Sequence, residues 1–300
     1  MLVVGSANVD YVVSVSRLPA AGETVSGGAL LINHGGKGAN QAVAARRLGA
    51  DVKFIGCVGD DAAGAAIRTR LAAEGIDISG VSSTADAPTG TALIVVDPEG
   101  RNQIAVAPGA NHRLSAEMVW ARRDDFAWPQ VVLCPLEMPP PTAAWVLREA
   151  RSRGALTVFN PAPVQPLPDE VWPHVAYLTP NGGEASRLAG GVADPEAAAQ
   201  ALRARGVRTV IVTLGEQGAL ACSDGPLLRV PAPAVTVVDT TGAGDAFNGA
   251  LAVSLAEGRP LADAVRFAVA AGALACTRRG AQDALGPREE VERLLARFPG

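Results

Sequence analysis

Asp245 stands directly behind Gly242-Ala243-Gly244, where an apolar run, Val235–Val238, gives way to helical periodicity. Two glycines let a backbone come close to a ligand, and the free amides of a helix start favour an anion. A carboxylate in that place can cap its own helix, a contribution of roughly 1 kcal/mol. It can also be the base that takes the proton of a hydroxyl attacking a phosphoryl group. A second group, Asn33-His34-Gly35-Gly36-Lys37-Gly38-Ala39-Asn40-Gln41-Ala42, combines close backbone approach with Lys and Asn donors, as a polyhydroxyl ligand needs. A solvated lysine and an ordinary helix-borne asparagine are the plainer alternatives. The third group, Gly5-Ser6-Ala7-Asn8-Val9-Asp10, reads as a turn after the first strand. It offers either two more sugar-type hydrogen-bonding groups or capping side chains. No GxxxxGK[ST] loop occurs, and no G-x-G-x-x-G follows the first strand, which argues against a Walker-type NTPase and a dinucleotide-binding dehydrogenase.

The elements that must position these groups alternate along the chain. Leu2–Val4, Val52–Val58, Val131–Leu133, Leu156–Phe159, Ala176–Thr179 and Thr209–Thr213 read as strands. Between them Ala39–Leu48, Ala62–Ala73, Thr142–Arg153 and Pro195–Arg205 carry apolar residues at helical spacing, each followed by a glycine where a C′ glycine belongs. Further helices are predicted over Ala246–Glu257, Leu261–Cys276 and Arg288–Arg297, with a hairpin at Ala219–Ser223 and Leu227–Val230. This alternation predicts an α/β fold: a three-layer, mostly parallel central sheet with helices on both faces. Two regions break the rhythm, 11–33 and 91–107, with short strands and no helix. They predict a small β-sheet lid on a single domain spanning 1–300.

The chain has 300 residues, 48% apolar and 19% charged, enough for a sizeable core, and a formal net charge of −4. An acidic balance gives no support to a nucleic-acid or anionic-membrane partner. No run of about 18 apolar residues suggests a membrane span. Cys57, Cys134, Cys222 and Cys276 are scattered, with no C-x-x-C or Cys/His cluster, so zinc is not expected and a reducing, cytoplasmic setting is. Lys37 and Lys53 are the only lysines.

Taken together, the three groups resemble the ribokinase branch of the PfkB family of sugar kinases, over essentially the whole chain. GGKGANQA and DTTGAGDAFNGAL are similar to the two family signatures, in the same order and separation. Asn-Pro-Ala-Pro at 160–163, Thr-Pro-Asn at 179–181, Thr-Leu-Gly-Glu-Gln-Gly at 213–218 and Arg-Arg-Gly-Ala-Gln at 278–282 resemble accessory segments. The resemblance implies ATP-dependent phosphorylation of D-ribose at its 5-hydroxyl. It makes Asp245 the base and the Gly242, Ala243 and Gly244 amides the anion hole. It places Asn8, Asp10, Gly36, Lys37, Asn40 and Glu137 on the sugar. For the nucleotide and its Mg2+ it implies Asn181 and Glu184, an N-x-x-E pair, with Thr213, Gly215, Gly218 and Gly244. It also implies a K+ ion held by Asp239, Thr241, Ala275, Arg278 and Gly280, and a homodimer formed through the lid. The chain departs from the pattern at Gly182-Gly183, at Asp283 in place of proline and at Ala284 in place of serine. A kinase for deoxyribose, a keto-deoxy sugar acid, another sugar or a nucleoside is the alternative within the class. A sugar-binding sensor without catalysis is the alternative outside it.

Overall fold

The computed structural model describes residues 1–298, so the last two residues of the one-domain reading lie outside it. Among the described residues there are thirteen strands: β1 Leu2–Val4, β2 Asn8–Val15, β3 Gly27–Gly35, β4 Lys53–Gly59, β5 Asp77–Thr84, β6 Gly90–Val96, β7 Asn102–Ala107, β8 Val131–Pro135, β9 Leu156–Asn160, β10 Tyr177–Leu178, β11 Thr209–Thr213, β12 Ala219–Cys222 and β13 Leu228–Val230. The helices are α1 Lys37–Arg47, α2 Ala62–Ala73, α3 Ala116–Trp120, α4 Pro140–Ser152, α5 Gly182–Leu188, α6 Pro195–Ala204, α7 Ala243–Ala256, α8 Leu261–Ala275 and α9 Arg288–Arg297.

The main sheet has nine strands in the order β13-β12-β11-β10-β9-β8-β1-β4-β5. It is parallel from β11 to β5, and the β11–β12–β13 edge is antiparallel. Its central strands, such as β8, β9 and β11, are apolar on both faces because both faces are covered. Along β8, Val131 and Leu133 join the core that includes α1, α7 and α8 residues, while Val132 and Cys134 join the core that includes α4 and α6 residues. The fold class expected from the sequence is therefore the one observed. Asp61 and Asp194 cap α2 and α6, each accepting the amide three residues on, and Gly49, Gly75, Gly154 and Gly206 take positive φ just past four helices.

The second sheet, in the order β3-β2-β6-β7, is the lid. It begins earlier than the sequence suggested. Asn8 to Asp10 is not a turn but the start of β2, where Asn8 pairs with Gly35 and Asp10 with Asn33. The lid therefore carries the candidate sugar ligands in its own first turns of strand. Val235–Val238, in turn, forms no strand. Pro231 and Pro233 leave gaps in the donor row a sheet edge requires. The amides of Val238 and Asp239 instead donate to the Cys276 carbonyl at the end of α8, at 2.8 and 3.3 Å. β5 went unread because Asp77–Thr84, with polar residues throughout, has little apolar pattern. Cys57, Cys134 and Cys222 are buried free thiols on strands, and Cys276 is half-buried. Among the described residues no helix is long and apolar enough to cross a membrane.

Candidate active site

The chain runs from β1 outward to β4 and β5, then returns to build β8 to β11 on the other side of β1. At such a switch of direction the loops after neighbouring strands part, and a crevice opens at their C-terminal ends. Gly5 and Ser6 follow β1, and Glu137 follows β8. The Ser6 hydroxyl donates to Glu137 Oε2 across that crevice. The same oxygen accepts the Lys37 amide at 3.0 Å, and Ser6 Oγ accepts the Gly38 amide at 3.3 Å. Glu137 is thus half-buried and tied to the start of α1 rather than an exposed rim carboxylate. Gly36 makes the entry possible. Its φ is +86°, and a Cβ there would lie 2.6 Å from the Ala7 Cα.

Asp245 sits in the first turn of α7, 7% exposed, and does not cap the helix. Gly242 is the N-cap, with no side-chain cap bond. The Asp245 carboxylate turns instead to α1, where Asn40 Nδ2 donates to Oδ2 and Gln41 Nε2 to Oδ1, both at 2.9 Å. Gln41 Nε2 also donates to Asn160 Oδ1 at 3.1 Å, and Asn160 Nδ2 to the Thr179 carbonyl at 3.0 Å. Thr179 Oγ1 donates to Asn248 Oδ1 at 2.6 Å, and Asn248 Nδ2 to the Gly244 carbonyl at 2.8 Å. A buried chain therefore runs from the Asp245 carboxylate through β9 and the residue after β10 back to the first turn of α7. Ala246 makes the first ladder bond of α7, to Gly242 O at 2.8 Å, while the Ala243 amide is turned to Thr240 O at 3.2 Å. Of the expected Gly242, Ala243 and Gly244 amides, that of Ala243 is thus already engaged; the Gly244 amide, with that of Asp245, lies between these two bonds and is available to an anion.

On the lid side, Asn8 Oδ1 accepts Asn111 Nδ2 at 2.7 Å, and Asn111 Oδ1 accepts the Ala7 amide at 2.9 Å. This fixes the Asn8 amide so that its own NH2 is left for a ligand. Asp10, 8% exposed, is pushed up to about 6 by burial first, then by the Glu137 and Asp245 carboxylates. Burial alone would lower the Lys37 ammonium; the facing Asp245, Glu137 and Glu184 carboxylates together outweigh it, and its pKa is raised. Lys37 is accordingly a held cation within an acidic site, not a solvated one.

Asn181 and Glu184 form a full capping box on α5: Asn181 Oδ1 accepts the Glu184 amide at 2.9 Å, and Glu184 Oε2 accepts the Asn181 amide at 2.8 Å. Asn181 bridges to Thr213 at the end of β11, and Gly215 is exposed beyond it, with Gly218 buried at the start of β12. A Cβ at Gly182 would meet Leu214 Cδ2 at 3.9 Å and one at Gly183 would meet Asn181 Oδ1 at 3.5 Å, both ordinary contacts, so crowding does not require the glycines that depart from the pattern. Asp239 accepts the Thr241 amide on Oδ1 and the Gly280 amide on Oδ2, both at 2.9 Å. Burial opposes ionisation there, but these amides outweigh it and hold the carboxyl below its usual range. Asp239 thereby staples the turn before α7 to the turn after α8, where Arg278 and Gly280 follow Ala275, the last residue of the helix. Ala275 O accepts the Arg278 amide at 3.3 Å, and the Arg278 guanidinium pairs with Glu290 at 2.5 Å.

The structure thus brings Asp245, Asn40, Lys37, Asp10 and Glu137 into one electrostatically coupled group, and sets the Asn181–Gly218 residues at the neighbouring strand ends. Reading the sequence alone missed Ser6, Gln41, Asn111, Thr179 and Asn248 as working parts. Gln41, Thr179 and Asn248 lie inside motifs that were noticed. Asn111 has no local signal at all, since it reaches Asn8 across 103 positions.

Comparison with known proteins follows this geometry. Residues 1–287 match the model of the pfkB family carbohydrate kinases. The chain is 38% identical over 299 residues to a ribokinase of Haemophilus influenzae, covering 98% of both chains. It is 40% identical over 294 residues to a ribokinase of Bacillus subtilis, again covering 98% of both. A ribokinase crystal structure from Thermotoga maritima matches with a TM-score of 0.91 at 37% identity, covering 98% of each chain. The Arabidopsis thaliana ribokinase complexed with ribose and ATP matches with a TM-score of 0.90 at 34% identity, covering 98% of this chain and 97% of that one.

Proposed function

The chain belongs to the pfkB family of carbohydrate kinases, and we propose that it transfers the γ-phosphoryl group of ATP to the 5-hydroxyl of D-ribose. The observation that carries the reading is the Asp245 carboxylate, buried and aimed by two side-chain amides beside two helix-start N–H groups. Asp245 takes the proton of the attacking hydroxyl while the new O–P bond forms and the bond to ADP breaks. The Gly244 and Asp245 amides, with Lys37, stabilise the charge on the transferring group. Asn8, Asp10, Asn40 and Glu137 orient the ring hydroxyls; an analogue lacking one leaves a buried polar group unpaired.

For the nucleotide, Glu184 has one oxygen outside the capping box, and Asn181, Thr213, Gly215 and Gly218 line the approach. Hard oxygen donors of this kind fit Mg2+, which would be held at Asn181 and Glu184 largely through water and would neutralise phosphate charge. The Asp239 staple with the carbonyls of Thr241, Ala275, Arg278 and Gly280 fits a K+ ion by the same donor chemistry. We read residues 1–300 as one catalytic domain with the lid closing over the sugar and excluding water. The lid leaves Leu30, Leu31, Leu93, Ile104 and Val106 about half exposed, and this supports a homodimer through the lid sheets. A cytoplasmic enzyme with no nucleic-acid or membrane partner completes the reading.

The test is ADP release with Mg2+ and K+ across D-ribose, 2-deoxyribose, fructose, a keto-deoxy sugar acid and adenosine. A kcat/KM for ribose at least about tenfold above the others, 1.4 kcal/mol of discrimination, is expected. A flat or shifted profile moves the substrate within the family, and no release with any sugar overturns the kinase reading in favour of a sensor. Sedimentation of the protein against a Leu31→Arg variant tests the dimer.

A further inference from the structure

The two amides that hold the Asp245 carboxylate are not equivalent. Asn40 Nδ2 donates to Oδ2, and among the described residues the Asn40 side chain makes no other hydrogen bond. Gln41 is fully buried, and its Nε2 donates in two directions, to Asp245 Oδ1 at 2.9 Å and to Asn160 Oδ1 at 3.1 Å. Its direction is fixed from outside. Asn160 Nδ2 donates to the main-chain carbonyl of Thr179, and a carbonyl only accepts, so Asn160 must turn its oxygen towards Gln41. Gln41 must then present its NH2, because the flipped amide would set Oε1 against two acceptors. This orientation persists although it leaves Gln41 Oε1 buried with no partner among the described residues, which costs stability.

Helix packing fixes the reach as well. Gly249 lies one turn beyond Asp245 on α7, and a Cβ there would stand 2.6 Å from Ala44 Cβ and 3.0 Å from the Gln41 carbonyl on α1. The two backbones meet at that level, so the span from Gln41 to Asp245 is set by close-packed helices. We infer that Gln41 is the positioning residue of the base: it holds Asp245 by Oδ1 throughout turnover and leaves Oδ2 as the oxygen that takes the hydroxyl proton. Asn40 is the exchangeable partner, which passes from Oδ2 to a ring hydroxyl as the sugar enters, since no other bond of the network depends on it. The proton goes to Oδ2 as the hydroxyl oxygen bonds to phosphorus, and ADP leaves with the electron pair of the broken bond. This division of roles rests on the kinase reading.

Steady-state kinetics of Gln41→Met and Asn40→Ala separate the two amides. Gln41→Met keeps the length and the burial but has no donor; kcat should fall by up to about 100-fold, with the KM for the sugar within a few-fold. Asn40→Ala should act mainly on that KM, raising it at least about tenfold. A cycle with Asp245→Asn supplies the readout that a merely structural role would not move. Adding Gln41→Met to Asp245→Asn should lower the residual rate no further, because Gln41 acts only through the carboxylate. Thr179→Val removes the hydroxyl link to Asn248 but keeps the carbonyl that orients Asn160, and kcat should stay within a few-fold. If circular dichroism shows Gln41→Met unfolded, Gln41→Glu keeps the shape and presents at most one donor to two acceptors, and the same fall in kcat is expected. An unchanged kcat, losses that add in the double variant, a loss confined to KM, or an equal loss from Thr179→Val overturns the inference, while an active parent protein keeps the kinase reading. No sugar-dependent ADP release by the parent protein overturns both.

Discussion

The two ends of the active-site crevice are built on different principles. At the sugar end, Asn8, Asp10, Asn40 and Asp245 are all less than one-tenth exposed; the Asp245 carboxylate is held by the Asn40 and Gln41 amides, and Asn8 by Asn111. At the nucleotide end, Asn181 and Gly215 are exposed, and the ordered parts are a helix cap and strand-end backbone. A buried, pre-aimed network costs stability in desolvated groups but needs no reorganisation when the ligand arrives. An open end made of backbone tolerates change and contributes binding rather than chemistry. Substitutions at the sugar end should therefore act on turnover and specificity, and those at the nucleotide end on affinity.

The largest effect is expected at Asp245. Asp245→Asn keeps the volume and leaves circular dichroism unchanged, but removes the base; kcat should fall by about 10³-fold or more, with KM for the sugar within a few-fold. Turnover near that of the parent protein would mean the carboxylate is only part of the Asn40–Gln41–Asn160 network. Next comes Asp10. Its pKa is raised from 3.8 to about 6, so between these values the folded protein binds a proton that the unfolded chain does not. The stability from this group is complete below pH 4 and is lost as the pH rises through about 6. Asp10→Asn should therefore raise the unfolding free energy at pH 7.5 by on the order of 2 kcal/mol, and change little near pH 4, while lowering kcat/KM for the sugar about 100-fold. Urea unfolding at the two pH values, with sugar kinetics, checks both halves. A variant that is less stable at pH 7.5 would show that Asp10 supports the fold rather than the ligand.

The same contrast explains what could be read from the chain in advance. The α/β class, the C′ glycines and most helices follow from local periodicity, which needs no knowledge of distant partners. Asp245, Lys37 and Asn40 are legible because their glycine-rich turns resemble two family signatures; local composition alone leaves a helix cap, a solvated lysine and an ordinary helix asparagine open. Val235–Val238 misled because β-branched runs suit a sheet, and only the prolines at 231 and 233 and the Cys276 carbonyl decide otherwise. Asn8 reads as a turn residue in the sequence because its pairing partner, Gly35, lies 27 positions on. Asn111 could not be read at all. Its role exists only where β1, β2 and the segment at 109–113 meet, and a single asparagine carries no trace of that.

At the nucleotide end the effects should be smaller and should appear in KM. Glu184→Gln keeps an acceptor for the Asn181 amide but removes the charge. The cap weakens by about 1 kcal/mol or less, kcat stays within a few-fold, and the Mg2+ and ATP concentrations needed for half-maximal rate rise several-fold. A collapse of kcat with unchanged ATP dependence would place Glu184 in the chemistry and erase the distinction between the two ends.

The smallest effect is expected from the cation, and it bears on a carboxylate shifted the opposite way from Asp10. Asp239 is held low by the Gly280 and Thr241 amides, against the burial that alone would raise it. Its stabilisation is present above the unfolded value near 3.8 and is lost as the pH falls through the folded one. Replacing K+ by Na+ should slow turnover by a few-fold with no change in fold, because the amide staple persists without the ion. Asp239→Asn should remove most of that K+/Na+ difference and cost roughly 2 kcal/mol in unfolding free energy, since one of two charge-assisted bonds becomes a donor facing a donor. If the variant loses the stability but keeps the full K+ preference, the ion is bound elsewhere. Asp239 is then purely the strap that sets the Gly244 and Asp245 amides in place.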